Sequence, residues 1–235
     1  MIEFTATIMK KQKLIIYGVG AMAKTYAMYL QQNYEIVAYT ATSDLIASNE
    51  FNGKPLTSFE DIESHFSPQT HQMVIAVGYV NLNQVRADIA VQAHAKGYQL
   101  PSFVSPSILL NQDFTIGTNS ILLDQSSVHC GSSVGSNVFI SSGVQIGHDC
   151  TIGNNVWINA GVCLGGGVTI GDNTFIGMNA TVSHGVTIGE NNFIGAATLV
   201  NRSTESDKVI ASAAGETLPM NSKTFLRFSK VMNND

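Results

Sequence analysis

The sequence has few charged residues and no long apolar run. Charged side chains make up only 12% of its 235 residues, and the net charge is −5. This net charge gives no sign of a nucleic-acid or anionic-membrane partner, and we expect neither. No apolar stretch reaches the ~20 residues of a membrane span, and the first residues lack the apolar core of a signal peptide. We therefore expect a cytoplasmic protein without membrane insertion.

Cysteine is also scarce. The three cysteines, Cys130, Cys150 and Cys163, are an odd number with no spacing typical of pairing or metal binding. Buried, reduced thiols are the favoured interpretation. The histidines offer no convincing set of three converging ligands, so we predict no metal.

The sequence does have an unbroken six-residue period. Every sixth residue from Val104 to Val200 is Val, Ile or Leu, seventeen in succession, and the next residue is Gly, Asn or Ser in fifteen of the seventeen hexads. Gly and Asn accept positive φ at little cost. A buried aliphatic followed by a turn residue at this period predicts a parallel β-helix of hexapeptide repeats.

The period also predicts the size of this solenoid. Three hexads form one triangular coil, so residues eighteen apart stack at the strand spacing of about 4.8 Å. Seventeen hexads at three per coil make between five and six coils. A β-sandwich would need period-two alternation, which is absent.

The first hundred residues alternate strand-like and helical segments. Strands are predicted at 13–17, 35–40 and 73–78, with helices at about 21–32, 58–65 and 81–96. This alternation predicts an α/β domain with a Rossmann-like, three- to four-stranded parallel sheet. The predicted domains are a leader at 1–12, a Rossmann-like sugar-nucleotide domain at 13–101, a β-helix at 102–204 and a C-terminal tail at 205–235. Phe225, Leu226 and Phe228 of the tail should dock on the solenoid or on a neighbour.

A glycine turn follows the first predicted strand. Gly18, Gly20 and Ala23 form a Gly-x-Gly-x-x-Ala pattern, which lets backbone amides approach a phosphate at a helix N-terminus. NAD binding would also require an acidic residue at the end of the second strand, where Thr40 and Thr42 stand instead. Nucleotide-sugar or diphosphate binding is favoured, and a purely structural turn is the alternative.

One polar pair on the solenoid is a candidate for catalysis. His148 lies two residues after an inward aliphatic, where side chains fall on a corner, and Asp149 follows it. A carboxylate can hold an imidazole tautomer and raise its basicity. The eighteen-residue spacing puts Cys130, His148, Gly166 and His184 in one column. It separates the two histidines by about 9.6 Å, too far to share a proton or one metal. A surface histidine without a catalytic role is the alternative.

Two solenoid segments carry a family resemblance. They are Val144–Gly153 (VQIGHDCTIG) and Gly161–Gly171 (GVCLGGGVTIG). Joined to a short Rossmann-like domain, they resemble the sugar acyltransferases of the sialic acid O-acetyltransferase and bacillosamine (UDP-4-amino-sugar) N-acetyltransferase type. The resemblance runs from Lys13 to about Val200. It implies a left-handed β-helix, an exception to the usual right-handed crossover, assembled as a homotrimer with active sites between subunits.

The resemblance also implies roles for individual residues. His148 would be the general base and Asp149 the carboxylate that raises its basicity, with direct attack on the thioester of acetyl-CoA and no metal. The CoA contacts carried over are Ser141, Trp157, Asn159, Gly166, Met178 and Ala196. The sugar-nucleotide contacts carried over are Gly20, Ala21, Met22, Thr40, Thr42, Gly78 and Tyr79.

Three functions therefore follow from the sequence. The main prediction is acetyl-CoA-dependent N-acetylation of a UDP- or dTDP-linked amino sugar. O-acetylation of a sialic-acid-like sugar is the second, and a non-catalytic solenoid scaffold that binds a nucleotide sugar is the third. The sequence leaves open the sugar, the nucleotide, the acyl group and the role of His184.

Overall fold

The computed structural model describes residues 11–110 and 113–231, with side chains described as far as Arg227. The predicted leader lies outside these residues apart from its last two, of which Gln12 opens the first strand. Among the described helices, none is long and apolar enough to cross a membrane.

The N-terminal part is an α/β unit built on a five-stranded sheet. Its elements are β1 (Gln12–Tyr17), α1 (Ala21–Leu30), β2 (Tyr34–Ala41), β3 (Glu50–Phe51), β4 (Lys54–Ser58), α2 (Ile62–His65), β5 (His71–Ile75) and α3 (Gln84–Ala95). The strand order is β3-β4-β2-β1-β5, parallel throughout except for the short β3–β4 pair. The apolar runs of the central strand β1 and of the edge strand β5 are both buried, as expected of a parallel sheet covered on its two faces.

This sheet differs from the predicted one in β3 and β4. The segment that contains them has polar residues and Pro55, which hide a strand pattern. Ser58 was predicted to begin a helix but ends β4 instead. The N–H of Phe59 donates to the carbonyl of Ala41 (2.8 Å), and this bond keeps the segment at the sheet. The helix that remains, α2, is a single turn.

Residues 103–210 form the predicted parallel β-helix, with two-residue strands on three faces. Face 1 contains β6 (Phe103–Val104), β9 (Ile121–Leu122), β12 (Phe139–Ile140), β15 (Trp157–Ile158), β18 (Phe175–Ile176), β21 (Phe193–Ile194) and β23 (Val209–Ile210). Face 2 contains β7 (Leu109–Leu110), β10 (Ser127–Val128), β13 (Gln145–Ile146), β16 (Cys163–Leu164), β19 (Thr181–Val182) and β22 (Leu199–Val200). Face 3 contains β8 (Thr115–Ile116), β11 (Ser133–Val134), β14 (Thr151–Ile152), β17 (Thr169–Ile170) and β20 (Thr187–Ile188).

The strands pair in the predicted eighteen-residue register. Phe139 pairs with Trp157 on face 1, and Gln145 pairs with Cys163 on face 2. The second residue of nearly every strand points inward and joins one aliphatic core that runs along the solenoid, whereas Leu110 of β7 is 45% exposed. Because each coil buries its aliphatics only against its neighbours, stability is shared along the stack.

The outward positions of face 1 form an aromatic stripe, on which the N-terminal unit packs. Its members are five aromatic residues and one isoleucine, namely Phe103, Phe139, Trp157, Phe175, Phe193 and Ile121. Tyr26 of α1 stacks on Phe139, with 6.0 Å between ring centroids, and Tyr79 lies 4.4 Å from Phe175. These outward side chains are therefore interior to the whole molecule, and they join the two units into one body.

A buried arginine crosses the same interface. Arg86 of α3 is 1% exposed, and its guanidinium lies 5.0 Å from the centroid of the Trp157 ring. Its Nη2 donates to the carbonyls of Asn155 and Val156 (3.4 Å each). Burial lowers the pKa of Arg86 to about 10, and the nearby Tyr26 acts in the opposite direction. Within the described residues no carboxylate pairs with it.

The C-terminal tail ends in the helix α4 (Ser222–Val231). Phe225 and Leu226 are 51% and 58% exposed, so the prediction that they dock on their own solenoid was wrong. Docking of these residues on a neighbour stays a prediction, and the side chain of Phe228 lies outside the described set.

Candidate active site

The turns between face 2 and face 3 form an edge of the solenoid that we call the His148 corner (residues 129–132, 147–150, 165–168, 183–186 and 201–203). Nδ1 of His148 lies 2.8 Å from Oδ2 of Asp149, and the two side chains are 53% and 71% exposed. Because a carboxylate only accepts hydrogen bonds, this contact makes Nδ1 the protonated nitrogen of the neutral imidazole. Nε2 then carries the free lone pair, which is the arrangement a general base needs.

Two glycines make room for this pair. A Cβ at Gly166 would collide with Nε2 of His148, and a Cβ at Gly131 would collide with Oδ1 of Asp149. The space at Gly166 therefore holds the tip of the imidazole. Sequence reasoning missed Gly131, although a signal existed, because it precedes Asp149 by the same eighteen residues that separate His148 from Gly166.

His184 lies closer to His148 than predicted. The ring centroids are 5.9 Å apart, with 47° between the ring planes. The estimate of about 9.6 Å was wrong for the side chains because it counted only coil spacing. The imidazoles approach each other across Gly166, which has no side chain to separate them. A group bound at Nε2 of His148 therefore also lies near His184.

The cysteines only partly match the prediction. Cys150 is buried as expected, and its burial raises the pKa of its thiol. Cys130 and Cys163 are exposed, so the prediction of buried thiols was wrong for both. Cys130 lies on the His148 corner, and Cys163 is the outward residue of β16. In the described part of the chain, no cluster of three or more potential metal ligands occurs.

The CoA positions suggested by the resemblance occupy three places. Gly166 lies on the His148 corner. The others at exposed or half-buried sites lie on the corner between face 1 and face 2, namely Ser141, Asn159, Met178 and Ala196. The Asn159 amide is already engaged, because it donates to the carbonyl of Ile176 (2.8 Å) and accepts from Nε1 of Trp157 (3.2 Å). Trp157 is 3% exposed and packs between the two units.

The predicted sugar-nucleotide positions lie where β1, β2 and β5 end. Gly20, at the N-cap of α1, and Gly78 both face open space, since a Cβ at either would meet nothing within 4 Å. The first turn of α1 has no acidic residue and no side-chain cap. Its backbone N–H groups and the positive end of its dipole are therefore available to an anion. Ala21 is exposed and Met22 is half-buried in the same turn.

The threonines after β2 are less available. Thr40 is fully buried, and its hydroxyl donates to the carbonyl of Thr57 (2.8 Å). Its side chain cannot contact a ligand, so this predicted position needs correction. The Thr42 side chain is hydrogen-bonded to Tyr17, whose pKa is raised chiefly by burial. Tyr79, next to Gly78, is 49% exposed. We call the exposed surface at the carboxyl ends of β1, β2 and β5, with Gly20, Gly78 and Tyr79, the crevice.

A strained segment beside this crevice was not predicted. Asn81, Leu82 and Asn83 follow Tyr79 with φ of 49°, 46° and 68°. The left-handed conformation costs a branched residue about 1–2 kcal/mol, and such strain is concentrated at functional sites. Two asparagines around a leucine are the only signal in the sequence. Asn83 leads directly into α3, which carries the buried Arg86.

The crevice and His148 lie on different sides of the solenoid. The N-terminal unit covers face 1, whereas His148 lies at the corner between face 2 and face 3. A ligand held by the crevice of one chain therefore cannot extend directly to the imidazole of the same chain.

Comparison with known families supports this architecture. The model described as bacterial transferase hexapeptide (six repeats) matches residues 149–184 and 167–202, and the hexapeptide repeat of succinyl-transferase matches residues 131–160. Residues 10–90 match the model described as C2185-like, N-terminal. A search of curated proteins finds no match.

Solved structures cover nearly the whole chain. The acetyltransferase domain of PglB from Neisseria gonorrhoeae matches with a TM-score of 0.77 and 25% identity, over 88% of this chain and 100% of that one. PerB from Caulobacter crescentus, solved with CoA and GDP-perosamine, gives 0.77 and 23% over 85% and 94%. WeeI from Acinetobacter baumannii gives 0.69 and 20% over 87% and 99%. The left-handed β-helix fold and the resemblance to sugar acetyltransferases of this type are thus confirmed.

Proposed function

We propose that this protein transfers the acetyl group of acetyl-CoA to the amino group of a nucleotide-linked amino sugar, with His148 as the general base. The observation that carries this proposal is the His148–Asp149 pair, whose Nε2 extends over Gly166 on an exposed corner of a hexapeptide solenoid. Two similar structures support the donor and acceptor classes. The PglB domain was also solved with acetyl coenzyme A, and PerB with CoA and GDP-perosamine.

The chemistry needs one base and no covalent enzyme intermediate. The acceptor nitrogen attacks the thioester carbonyl while Nε2 of His148 removes its proton. Asp149, held on Nδ1, stabilises the imidazolium that forms. The tetrahedral intermediate then breaks its C–S bond, and the CoA thiolate takes the proton from Nε2. General-base catalysis of this kind contributes roughly 10²- to 10⁴-fold to the rate.

The N-terminal unit supplies the acceptor site in this proposal. The diphosphate of the nucleotide sugar binds at the first turn of α1, where Gly20 leaves open space and no acidic side chain opposes it. Gly78 and the open side of Tyr79 border the same crevice. This arrangement at the carboxyl ends of parallel strands is typical of nucleotide-binding α/β units, and a Rossmann-like description is part of the proposal.

A second copy of the chain completes the active site. The crevice of one chain and its own His148 are separated by the solenoid, so the sugar must reach the His148 corner of a neighbour. This supports the homotrimer that the family resemblance implies. A molar mass of three chains in solution is the expected result, and a monomer that remains fully active would contradict it.

The decisive experiment measures thiol release from acetyl-CoA with a panel of GDP-, UDP- and dTDP-linked amino sugars. We expect release with at least one of them, and a loss of about 10²- to 10⁴-fold in kcat for His148→Ala. CoA binding, followed by calorimetry, should persist in this variant, since the mutation removes only the imidazole and leaves the backbone of the His148 corner unchanged.

Matched controls keep the test specific. His129→Ala removes an exposed imidazole on the same corner and should leave the rate unchanged. Release that survives His148→Ala would remove His148 from the mechanism. Release with hydroxyl sugars and none with amino sugars would favour O-acetylation, and CoA binding without turnover of either class would favour the scaffold.

A further inference from the structure

One cation stands out in the solenoid. Arg202 is the single Lys or Arg among residues 102–204. It follows Val200 by two residues, as His148 follows Ile146, and therefore lies on the His148 corner. Arg202 is exposed, and within the described part of the chain it makes no ion pair or hydrogen bond. The edge of the solenoid that carries His148 therefore has one exposed guanidinium, three coils from the imidazole.

The column between His148 and Arg202 is continuous. The N–H of Gly167 donates to the carbonyl of His148 (2.7 Å), and the N–H of Gly185 donates to the carbonyl of Gly166 (2.9 Å). Thr181 and Val182 pair in register with β22, the strand that leads into Arg202. Three coils thus separate His148 from Arg202, which at strand spacing is about 14 Å.

No acidic group accompanies Arg202 on this edge. We call the direction toward the C-terminal coils upward. Above His148, the turns of the corner have the sequences GGGV, SHGV and NRS and contain no Asp or Glu. Asp149 lies beside His148 in the same coil, and Asp113 lies two coils toward the N-terminal end, in the turn between β7 and β8. An anion lying along the corner is therefore favoured above His148 and opposed below it.

This polarity fits the donor of the proposed reaction. The thioester of acetyl-CoA must lie at Nε2 of His148, which extends upward over Gly166. The pantetheine arm is about as long as an extended peptide of four to five residues, and it spans about 15 Å from the sulfur to the first phosphate. With its sulfur at His148, the arm places the diphosphate at the level of Arg202.

We propose that Arg202 binds the diphosphate of CoA and thereby selects a nucleotide-linked thioester over a simple one. The inference rests on the proposed function, since it requires CoA to lie along this edge. Arg is suited to the role because its guanidinium binds phosphate oxygens through paired hydrogen bonds. The turn that contains Arg202 is two residues shorter than the turns before it, because Thr204 pairs with Ile188, and it is the last turn of the His148 corner.

Calorimetric titration of CoA, dephospho-CoA and pantetheine tests this inference without the sugar. For Arg202→Gln we expect the Kd of CoA to rise about tenfold, from the loss of one charged hydrogen-bonded contact. The Kd of dephospho-CoA should rise by the same factor, since it keeps the diphosphate, and the Kd of pantetheine should not change. Arg202→Lys should recover part of the loss.

The control is Lys208→Gln, which removes a cation from the same end of the solenoid. Lys208 is paired with Glu205 (3.4 Å), so its loss should change CoA binding less than twofold. Unchanged CoA binding in Arg202→Gln, or an equal loss for pantetheine, would overturn the inference while leaving the acetyltransferase proposal intact. If Arg202→Gln weakened the binding of CoA but not that of dephospho-CoA, the contact would be with the 3′-phosphate, and the diphosphate assignment would be overturned. If wild-type protein bound neither CoA nor pantetheine, the proposed function itself would fail.

Discussion

Face 1 and the His148 corner of the solenoid share one inner design and differ in everything that points outward. Both have an inward Val, Ile or Leu in every hexad, buried in a single core. Outward on face 1 are aromatic rings, with Phe139 and Trp157 stacked at 4.1 Å. Outward on the corner are glycines, three histidines and an exposed aspartate. The same six-residue repeat thus supports a packing surface and a chemical one.

The difference shows that two periods carry different information. The six-residue period specifies the coil, because it places an aliphatic inward on every face. The eighteen-residue period specifies each outer column, because only residues one coil apart are neighbours there. Changes on face 1 should therefore alter stability, and changes on the corner should alter activity.

Of the substitutions that test this difference, Phe139→Ala should have the largest effect, because it removes a ring from the packing surface of face 1. Phe139 is 4% exposed and contacts both Trp157 and Tyr26. We expect the free energy of unfolding to fall by about 3–5 kcal/mol, because the substitution leaves a cavity between the two units. Urea unfolding at fixed protein concentration measures it. Thr151→Ala, on exposed face 3, is the control, with a change within about 0.5 kcal/mol. Equal losses in both variants would contradict the distinction between the faces.

Gly166→Ala should affect activity with little effect on stability. Its backbone does not require glycine, since its φ lies outside the left-handed region, yet an added Cβ collides with Nε2 of His148. Moving a catalytic group by about 1 Å can cost roughly 10²-fold, and we expect a loss of that size in kcat. Gly215→Ala, whose Cβ meets nothing within 4 Å, should keep the wild-type rate. A fully active Gly166→Ala variant would show that the imidazole works from another position.

Arg86→Met should give the smallest effect and would sharpen the account of face 1. Arg86 is a buried cation whose pKa is lowered chiefly by desolvation, with no carboxylate partner among the described residues. Replacing such a charge by an apolar side chain of similar length is often neutral or stabilising, so we expect a change within about 1 kcal/mol. Arg86→Ala should cost roughly 2–4 kcal/mol, because it leaves a cavity beside Trp157. Thermal unfolding of both variants separates volume from charge, and an equal loss in both would show that the guanidinium itself is required.

The α/β unit was harder to predict than the solenoid. Its central strands and the glycine turn follow from local apolar runs, but β3 and β4 depend on pairing with β2, which is distant in sequence. Thr40 shows the limit well. Its place after a strand suggested a ligand contact, whereas the structure turns its hydroxyl inward to the carbonyl of Thr57. Trp157 shows the same limit. Its outward position in the hexad suits a contact with CoA as well as packing between the two units, and the structure shows the packing.

The sequence by itself determined the solenoid, its register and the place of the His148–Asp149 pair. It could do so because each coil is stabilised by its own hexads and by residues eighteen positions away, a relation that is visible as a period. Only the tertiary structure decided that the imidazoles of His148 and His184 approach each other over Gly166. It also decided that the α/β unit covers face 1, away from His148. Those arrangements depend on side-chain rotamers and on contacts between distant segments, for which a linear pattern carries no signal.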